Sequence, residues 1–266
     1  MAQLLLLKRM LMKKTQFDVV IDPVAECSVM IKIDLKESKR SATDSQQPHS
    51  AEVTSDISVY VASISQQIRE TFGTYLMNVT PAYHTILVDY LPYRVSEPEF
   101  IRQLHQLVSN LNTRVNTHSA PVVMIPTYYS EQTALDLPRF QQQGLSLDKL
   151  VELHTRITYQ VSAVGFMPGF AFLSDVSPEL CMPRHQTPRL SVPKGSVGIA
   201  DSKTAVYPDQ SPGGWNIIGR TPIQLFDTKA TLDQLNQGAF FNVGDKVKFE
   251  AISKQEFVAL GGCLND

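Results

Sequence analysis

The sequence predicts an α+β fold, with a small α/β N-terminal domain followed by a β-rich domain arranged as a barrel or a sandwich. Three features lead there. Strand and helix periods alternate through the first part of the chain, the order that builds a small α/β sandwich. A polar spacer, Asn112–Ala120, then interrupts the pattern. Beyond Ile157, short apolar runs are punctuated by glycine or proline every few residues, which suits strands joined by tight corners. The expected domains are residues 16–118, with a mobile insert at 36–56, and residues 119–255. Terminal extensions cover 1–15 and 256–266.

The first element in order is a strand at Ser28–Leu35, where Val29, Ile31, Ile33 and Leu35 recur with period two. Lys36–Asp56 is polar, poor in aliphatics and without either period, and reads as a mobile loop. A helix follows, with Ile57, Val61, Ile64, Ile68 and Phe72 on one face, Ser55 or Asp56 as N-cap and Gly73 as the stop. His84–Tyr90 is a second strand. Ser96 with Glu99 forms a capping box that opens a second helix, whose buried stripe is Ile101, Leu104, Val108 and Leu111. Past the spacer come a strand at Val122–Tyr128 and a helix at Leu147–Arg156 capped by Ser146. The last strand is Lys246–Ile252, with Val247 and Phe249 facing inward.

Composition narrows the function. Of 266 residues, 43% are hydrophobic and 19% charged, an ordinary globular balance, and the net charge of −2 gives no bulk attraction to nucleic acid or anionic membrane. Any anion site must come from local placement of arginine and lysine. Cys27, Cys181 and Cys263 are far apart, with no metal-ligand spacing and an odd count, so they read as incidental thiols in a reducing cytoplasm. Leu4–Leu7 is too short for a signal peptide and is broken by Lys8 and Arg9, so the N-terminus reads as a frayed leader or an upstream start.

The chemistry concentrates between Pro183 and Arg220. Arg184, His185, Arg189, Lys194 and Arg220 lie there among Pro183, Pro188, Pro193, Gly195, Gly198, Gly213, Gly214 and Gly219. Proline fixes φ and glycine admits a ligand close to the backbone, so cations on such loops are held ready for a phosphate or carboxylate. The alternative is that these loops merely join strands and their charges are solvated. Ser211–Trp215 (SPGGW) holds the only tryptophan. It reads either as an anion-facing row of amides beside an aromatic wall or as a core plug after a turn. Lys203-Thr204 lacks the preceding glycine of a Walker motif. His154 falls on the apolar face of its helix and reads either as a hydrogen-bonded core-edge histidine or as a proton shuttle. No HExxH, GxSxG or Ser/His/Asp spacing is present. Asp175, Glu179, Asp201 and Asp209 read as solvated loop acids.

Many short segments in fixed order resemble one known family. They include Pro81-Ala82-Tyr83, Ile86-Leu87-Val88, Leu153-His154, Gly165-Phe166 and Pro168-Gly169-Phe170. Pro183-Arg184, Thr187-Pro188-Arg189, Val192-Pro193, Gly195–Gly198 and Tyr207-Pro208 continue the series. It ends with Ser211–Trp215, Ile218–Pro222 and Leu225–Asp227. The family is variously called the 5-oxoprolinase B subunit, the Kip kinase-inhibitor family and allophanate hydrolase subunit 1. The chain departs from its pattern at Ala25-Glu26, in 128–143 and at Asp201-Ser202.

The resemblance implies a cyclophilin-like β-barrel for the second domain and a complex with the 5-oxoprolinase C and A subunits, the first in direct contact. That complex would use ATP, with Mg2+, to open 5-oxoproline to L-glutamate by phosphorylating the lactam. Nucleotide would be bound by the assembly rather than by a Walker motif in this chain, and no metal site is expected. The implied phosphate- or carboxylate-binding residues are Arg184, Arg189, Lys194 and Arg220, with Ser196, Ser211, Gly213, Gly214, Trp215 and Thr221 shaping the pocket and His154 as acid or base. The family also implies two alternatives: an inhibitor of a sensor histidine kinase, and a carboxyltransferase-like component acting on a urea-derived substrate.

Overall fold

The computed structural model describes residues 17–36, 51–110, 121–227 and 239–264. The N-terminal leader, most of the polar insert and the spacer lie outside the described residues. Contacts divide the chain into two units, Met1–Ser119 and Ala120–Asp266.

In the first unit, strands β1 (Phe17–Ala25), β2 (Ser28–Leu35), β3 (Leu76–Ala82) and β4 (Thr85–Tyr90) form an antiparallel sheet in the order β1-β2-β4-β3. Helices α1 (Ala51–Phe72) and α2 (Glu97–Asn110) pack on the sheet. Val29, Ile31 and Ile33 of β2 and Ile86, Val88 and Tyr90 of β4 alternate inward, opposite the stripe Ile57, Val61, Ile64, Ile68 and Phe72 of α1. Each such side chain contributes roughly 1.5–3 kcal/mol by leaving water.

Three expectations are corrected here. Helix α1 begins at Ala51, ahead of both proposed caps, because a nucleated helix extends cheaply through residues of adequate propensity. The buried residues of α2 are Phe100 and Leu104, with Ile101 and Val108 only half-buried. Phe100 stacks on Tyr90 at 4.7 Å and meets Phe72 edge-on at 5.5 Å, so the aromatic sets the helix's rotation. Strands β1 and β3 were not expected. Strand β1 is an edge strand with Pro23 in it and Val20 and Val24 exposed, which hides its period.

In the second unit, β5 (Val123–Thr127), α3 (Leu137–Gln142), α4 (Leu147–Thr155), β6 (Thr158–Val164) and β7 (Ala171–Asp175) come first. Then follow β8 (Arg189–Val192), β9 (Ser196–Ala200), β10 (Lys203–Val206), β11 (Ser211–Gly213), β12 (Asn216–Arg220), β13 (Lys246–Ala251) and α5 (Lys254–Ala259). The main ladder runs β5-β13-β6-β7-β10-β9-β12, with β5 and β13 parallel and the other pairs antiparallel. β8 and β11 make a separate two-stranded sheet.

The expected barrel is not closed among the described residues. The end strands β5 and β12 meet only through one antiparallel bridge, Tyr128–Arg220, because the chain turns away after Tyr128 into the Ser130–Thr133 turn. Strand β13 begins where the sequence places it, with Val247 and Phe249 buried. Ser146 caps α4 by accepting from Lys149 N at 3.2 Å. Helix α5, in the expected C-terminal extension, is anchored instead by the buried Phe257 against Tyr128. No helix among the described residues is long and apolar enough to cross a membrane.

Candidate functional site

The site is organised around one buried carboxylate. Asp136 lies at the N-terminal side of α3, only 3% exposed, where the loop from β5 turns back onto β12. Its backbone N–H donates to Ile217 O at 3.0 Å and its Oδ2 accepts from Ile217 N at 2.6 Å, which clamps the loop to that strand. Its Oδ1 accepts from Arg189 Nη2 at 2.7 Å and lies 2.7 Å from His185 Nε2. His185 Nε2 is also 3.2 Å from Arg189 Nη1. One nitrogen cannot donate to a carboxylate and accept from a guanidinium at once, so the shorter contact to the anion places the proton on Nε2.

The surrounding frame is stiff. His185 N donates to Gly214 O, and Gly213 pairs with Arg189 across β8 and β11. Asn216 Nδ2 donates to the carbonyls of Met182, Pro183 and Ile199, while its Oδ1 accepts from Arg139. Arg184 runs alongside Gly214, where an added Cβ would meet its guanidinium at 3.4 Å, an ordinary contact distance. Beside it, Tyr207 is buried and its phenol is pushed up by burial. The Trp215 amide and the charges of Arg184 and Arg189 pull it partly back. Trp215 packs edge-on to Phe170 at 5.8 Å and against Phe172 at 5.9 Å. The site therefore gathers three arginines (Arg139, Arg184, Arg189), one carboxylate and one histidine.

Residues 39–235 match the family described as carboxyltransferase domain, subdomain C and D, which is well over half of the chain. The chain belongs to this family. Among curated members of known name, 139 residues are 40% identical to the 5-oxoprolinase B subunit of Bacillus subtilis, covering 52% of this chain and 56% of that one. With the 5-oxoprolinase B subunit of Haemophilus influenzae the identity is 33% over 176 residues, covering 65% and 75%. The crystal structure of TTHA0988 superposes with a TM-score of 0.63 at 31% identity, over 75% of this chain and 37% of that one. The match to the Bacillus relative thus spans little more than half of its length.

In this carboxyltransferase-domain chain, the residues expected from the sequence divide into two groups. Arg184, Arg189, Gly213, Gly214 and Trp215 converge. Lys194 is exposed on the turn before Gly195, and its carbonyl accepts from Arg220 Nε at 2.8 Å. Arg220 itself is 8% exposed, so one clamp of four open cations is not formed. Ser196 and Thr221 are buried in and beside strands, and Ser211 Oγ is buried with no hydrogen-bond partner. The expected row of free amides is likewise engaged: Gly213 lies in the β8–β11 ladder, and the Trp215 N–H bonds Tyr207.

His154 is the hydrogen-bonded core histidine of the two readings. It is fully buried, against Phe249 at 4.4 Å and Tyr159 at 5.3 Å. Nδ1 is 2.8 Å from Tyr129 Oη and Nε2 is 3.0 Å from Thr204 Oγ1. Because Thr204 gives its proton to Gly198 O at 3.0 Å, Nε2 carries the imidazole proton and Tyr129 donates to Nδ1. Burial pushes the imidazole down to about 3, so it is neutral at ordinary pH and has no route to a ligand in this conformation.

Asp136 escapes the sequence reading altogether, and His185 stands in it only as one more basic loop residue. The sole signal for Asp136 is its place in the divergent 128–143 stretch. A separate cavity of about 410 Å³ in the first unit is lined by amides (Gln67, Gln103, Gln106, Asn110) with no charged group to select a ligand.

Proposed function

We propose that this chain is a non-autonomous component of an ATP-dependent 5-oxoprolinase. It would act with the A subunit and a directly bound C subunit to convert 5-oxoproline to L-glutamate in the cytoplasm. The observation that carries this reading is the 33% identity to a protein named as the B subunit of 5-oxoprolinase over 75% of that protein's length. More than half of TTHA0988 lies outside the match, which supports a unit that works joined to further polypeptide.

An unactivated lactam has a poor leaving group. ATP would supply the phosphoryl group that the lactam oxygen accepts; water then adds at the carbon and the ring C–N bond breaks with protonation of nitrogen, leaving an acyl phosphate that a second water hydrolyses to the carboxylate and phosphate. The described residues of this chain do not fit ATP with Mg2+. They contain no group of three or more His, Cys, Asp or Glu side chains arranged to hold a metal, and the cations are partly committed to Asp136. What the chain's own residues supply is a rigid anion-binding surface: Arg184 and Arg189 hold charge, and Asp136 and Asn216 fix the loops that carry them.

The test is reconstitution of the three chains, following glutamate and ADP released from 5-oxoproline and ATP. Turnover should require all three, and Arg189→Ala should lower it by about 10²–10³, the cost of removing one charged donor from a developing anion. A complete assembly that forms no glutamate overturns the reading.

A further inference from the structure

We infer that His185, oriented by the buried Asp136, is the acid–base catalyst of the ring-opening step and works through its Nδ1. The inference deepens the function proposed above and rests on it for the identity of the substrate.

Ring opening needs a proton taken from water and a proton given to nitrogen. His154 can do neither, because both its nitrogens are bonded within the core. Among the described histidines only His185 pairs with a carboxylate: its Nε2 lies 2.7 Å from Asp136 Oδ1 and carries the proton. Asp136 is 3% exposed and is itself fixed by Ile217 N, so it holds the ring in one tautomer and one orientation. Nδ1 is then left with its lone pair. It has no hydrogen-bond partner among the described residues, and it is not one of their buried unpartnered atoms, which are Gln160 Oε1, Ser162 Oγ and Ser211 Oγ. Nδ1 therefore meets solvent, on a side chain that is 24% exposed. The loop behind it is fixed, since His185 N donates to Gly214 O at 2.8 Å. No cavity within this chain is required. The imidazole stands at the surface beside exposed Arg184, where a larger assembly can bring its substrate.

The protons balance on that one nitrogen. As water adds to the phosphorylated lactam carbon, Nδ1 takes one of its protons. As the ring C–N bond breaks, the same proton passes from Nδ1 to the ring nitrogen, and the hydroxyl proton left on carbon goes to solvent as the carbonyl forms. The groups around the imidazole are Asp136 ahead of α3, Arg189 on β8 and Arg184 on its own loop, with Tyr207 close to both arginines. Arg139, on α3, is bonded to Asn216. Of these group types only imidazole ordinarily changes charge between about pH 5 and 8, and burial moves the Tyr207 phenol further up.

Replacing His185 by glutamine keeps a donor for Asp136 and removes the titratable nitrogen. In the reconstituted three-chain assembly, His185→Gln should lower kcat by about 10²–10⁴ and leave KM within about threefold of wild type. It should also abolish the limb of the kcat–pH profile between about pH 5 and 8, and added imidazole should restore part of the rate. In the intact wild-type chain carrying isotope-labelled histidine, nitrogen NMR should find neutral His185 protonated on Nε2.

A proton found on Nδ1 overturns the proposal, and so does a lowered rate with the pH limb intact. If glutamate forms equally well with His185→Gln, the 5-oxoprolinase reading stands and the catalytic role falls. If no glutamate forms but the assembly turns over another amide with the same His185-dependent limb, the catalytic role stands and the 5-oxoprolinase reading fails.

Discussion

Replacing Asp136 by asparagine tests whether one carboxylate holds the site together. The substitution keeps the side chain's shape and removes its charge. The carboxylate accepts from Ile217 N, Arg189 Nη2 and His185 Nε2, all as donors. An asparagine has one acceptor oxygen, so its NH2 must face at least one of them. A buried donor stripped of its acceptor costs about 1–3 kcal/mol. Loss of the anion beside Arg189, whose side chain is 29% exposed, adds roughly 1–2 kcal/mol, less than for a fully buried pair because water reaches the guanidinium. The sum is about 2–5 kcal/mol, or a fall in melting temperature of roughly 5–15 °C for a chain of this length. Thermal denaturation followed by circular dichroism reads it. A second arm introduces Arg189→Gln both into the wild-type chain and into the Asp136→Asn variant, where the two losses should not add. A melting temperature within about 2 °C of wild type, or strict additivity, would refute the view of Asp136 as the shared anchor.

Two further outcomes follow from the geometry. The His154 imidazole is pushed from its ordinary value of 6.5 down to about 3 in the folded chain, so the unfolded chain binds its proton first as pH falls. The resulting stability is complete above about pH 6.5 and is lost at up to about 1.4 kcal/mol per pH unit on the way down towards pH 3. Urea melts from pH 7 to 4 should show a shallower loss in His154→Gln than in wild type, and parallel curves would count against the assignment. A Cβ at Gly213 would lie 2.8 Å from the Tyr207 ring, so Gly213→Ala should displace that ring and change Trp215 emission. Removing the hydroxyl as well, in a Tyr207→Phe background, should restore part of the native spectrum; identical spectra for Gly213→Ala and wild type would deny the contact.

Much of the scaffold was legible because its signal is local. The alternation at Val29, Ile31 and Ile33 and the stripe from Ile57 to Phe72 are periods written along the chain. The cap at Ser146 reads as easily, being a single residue ahead of a periodic run. Strand β1 escaped because an edge strand with a proline and exposed valines shows little alternation. Helix α3 escaped because Leu137–Gln142 is too short to develop a period. In the site, the glycine–proline frame and the arginines Arg184 and Arg189 could be read directly, since composition alone marks a stiff basic loop. Asp136 could not. It meets partners 49, 53 and 81 residues away, and only folding brings them together. Arg220 misled for the opposite reason: its charge is visible in the sequence and its burial is not, although Ile217 and Ile218 just before it mark a buried strand.

The Tyr129–His154–Thr204 chain has a consequence for how this core tolerates change. Its three members come from separate segments, yet each proton along it has only one place to sit. A phenylalanine in place of Tyr129 would leave Nδ1 without a donor, and a ring flip to repair that would set the same lone pair against Thr204. A valine in place of Thr204 would strand the proton on Nε2. No member can therefore be exchanged for its nearest apolar likeness alone, and the core should accept a different trio more readily than any one altered member. The histidine is held in place less by anything it does to a ligand than by an agreement among three hydrogen-bonding groups about direction.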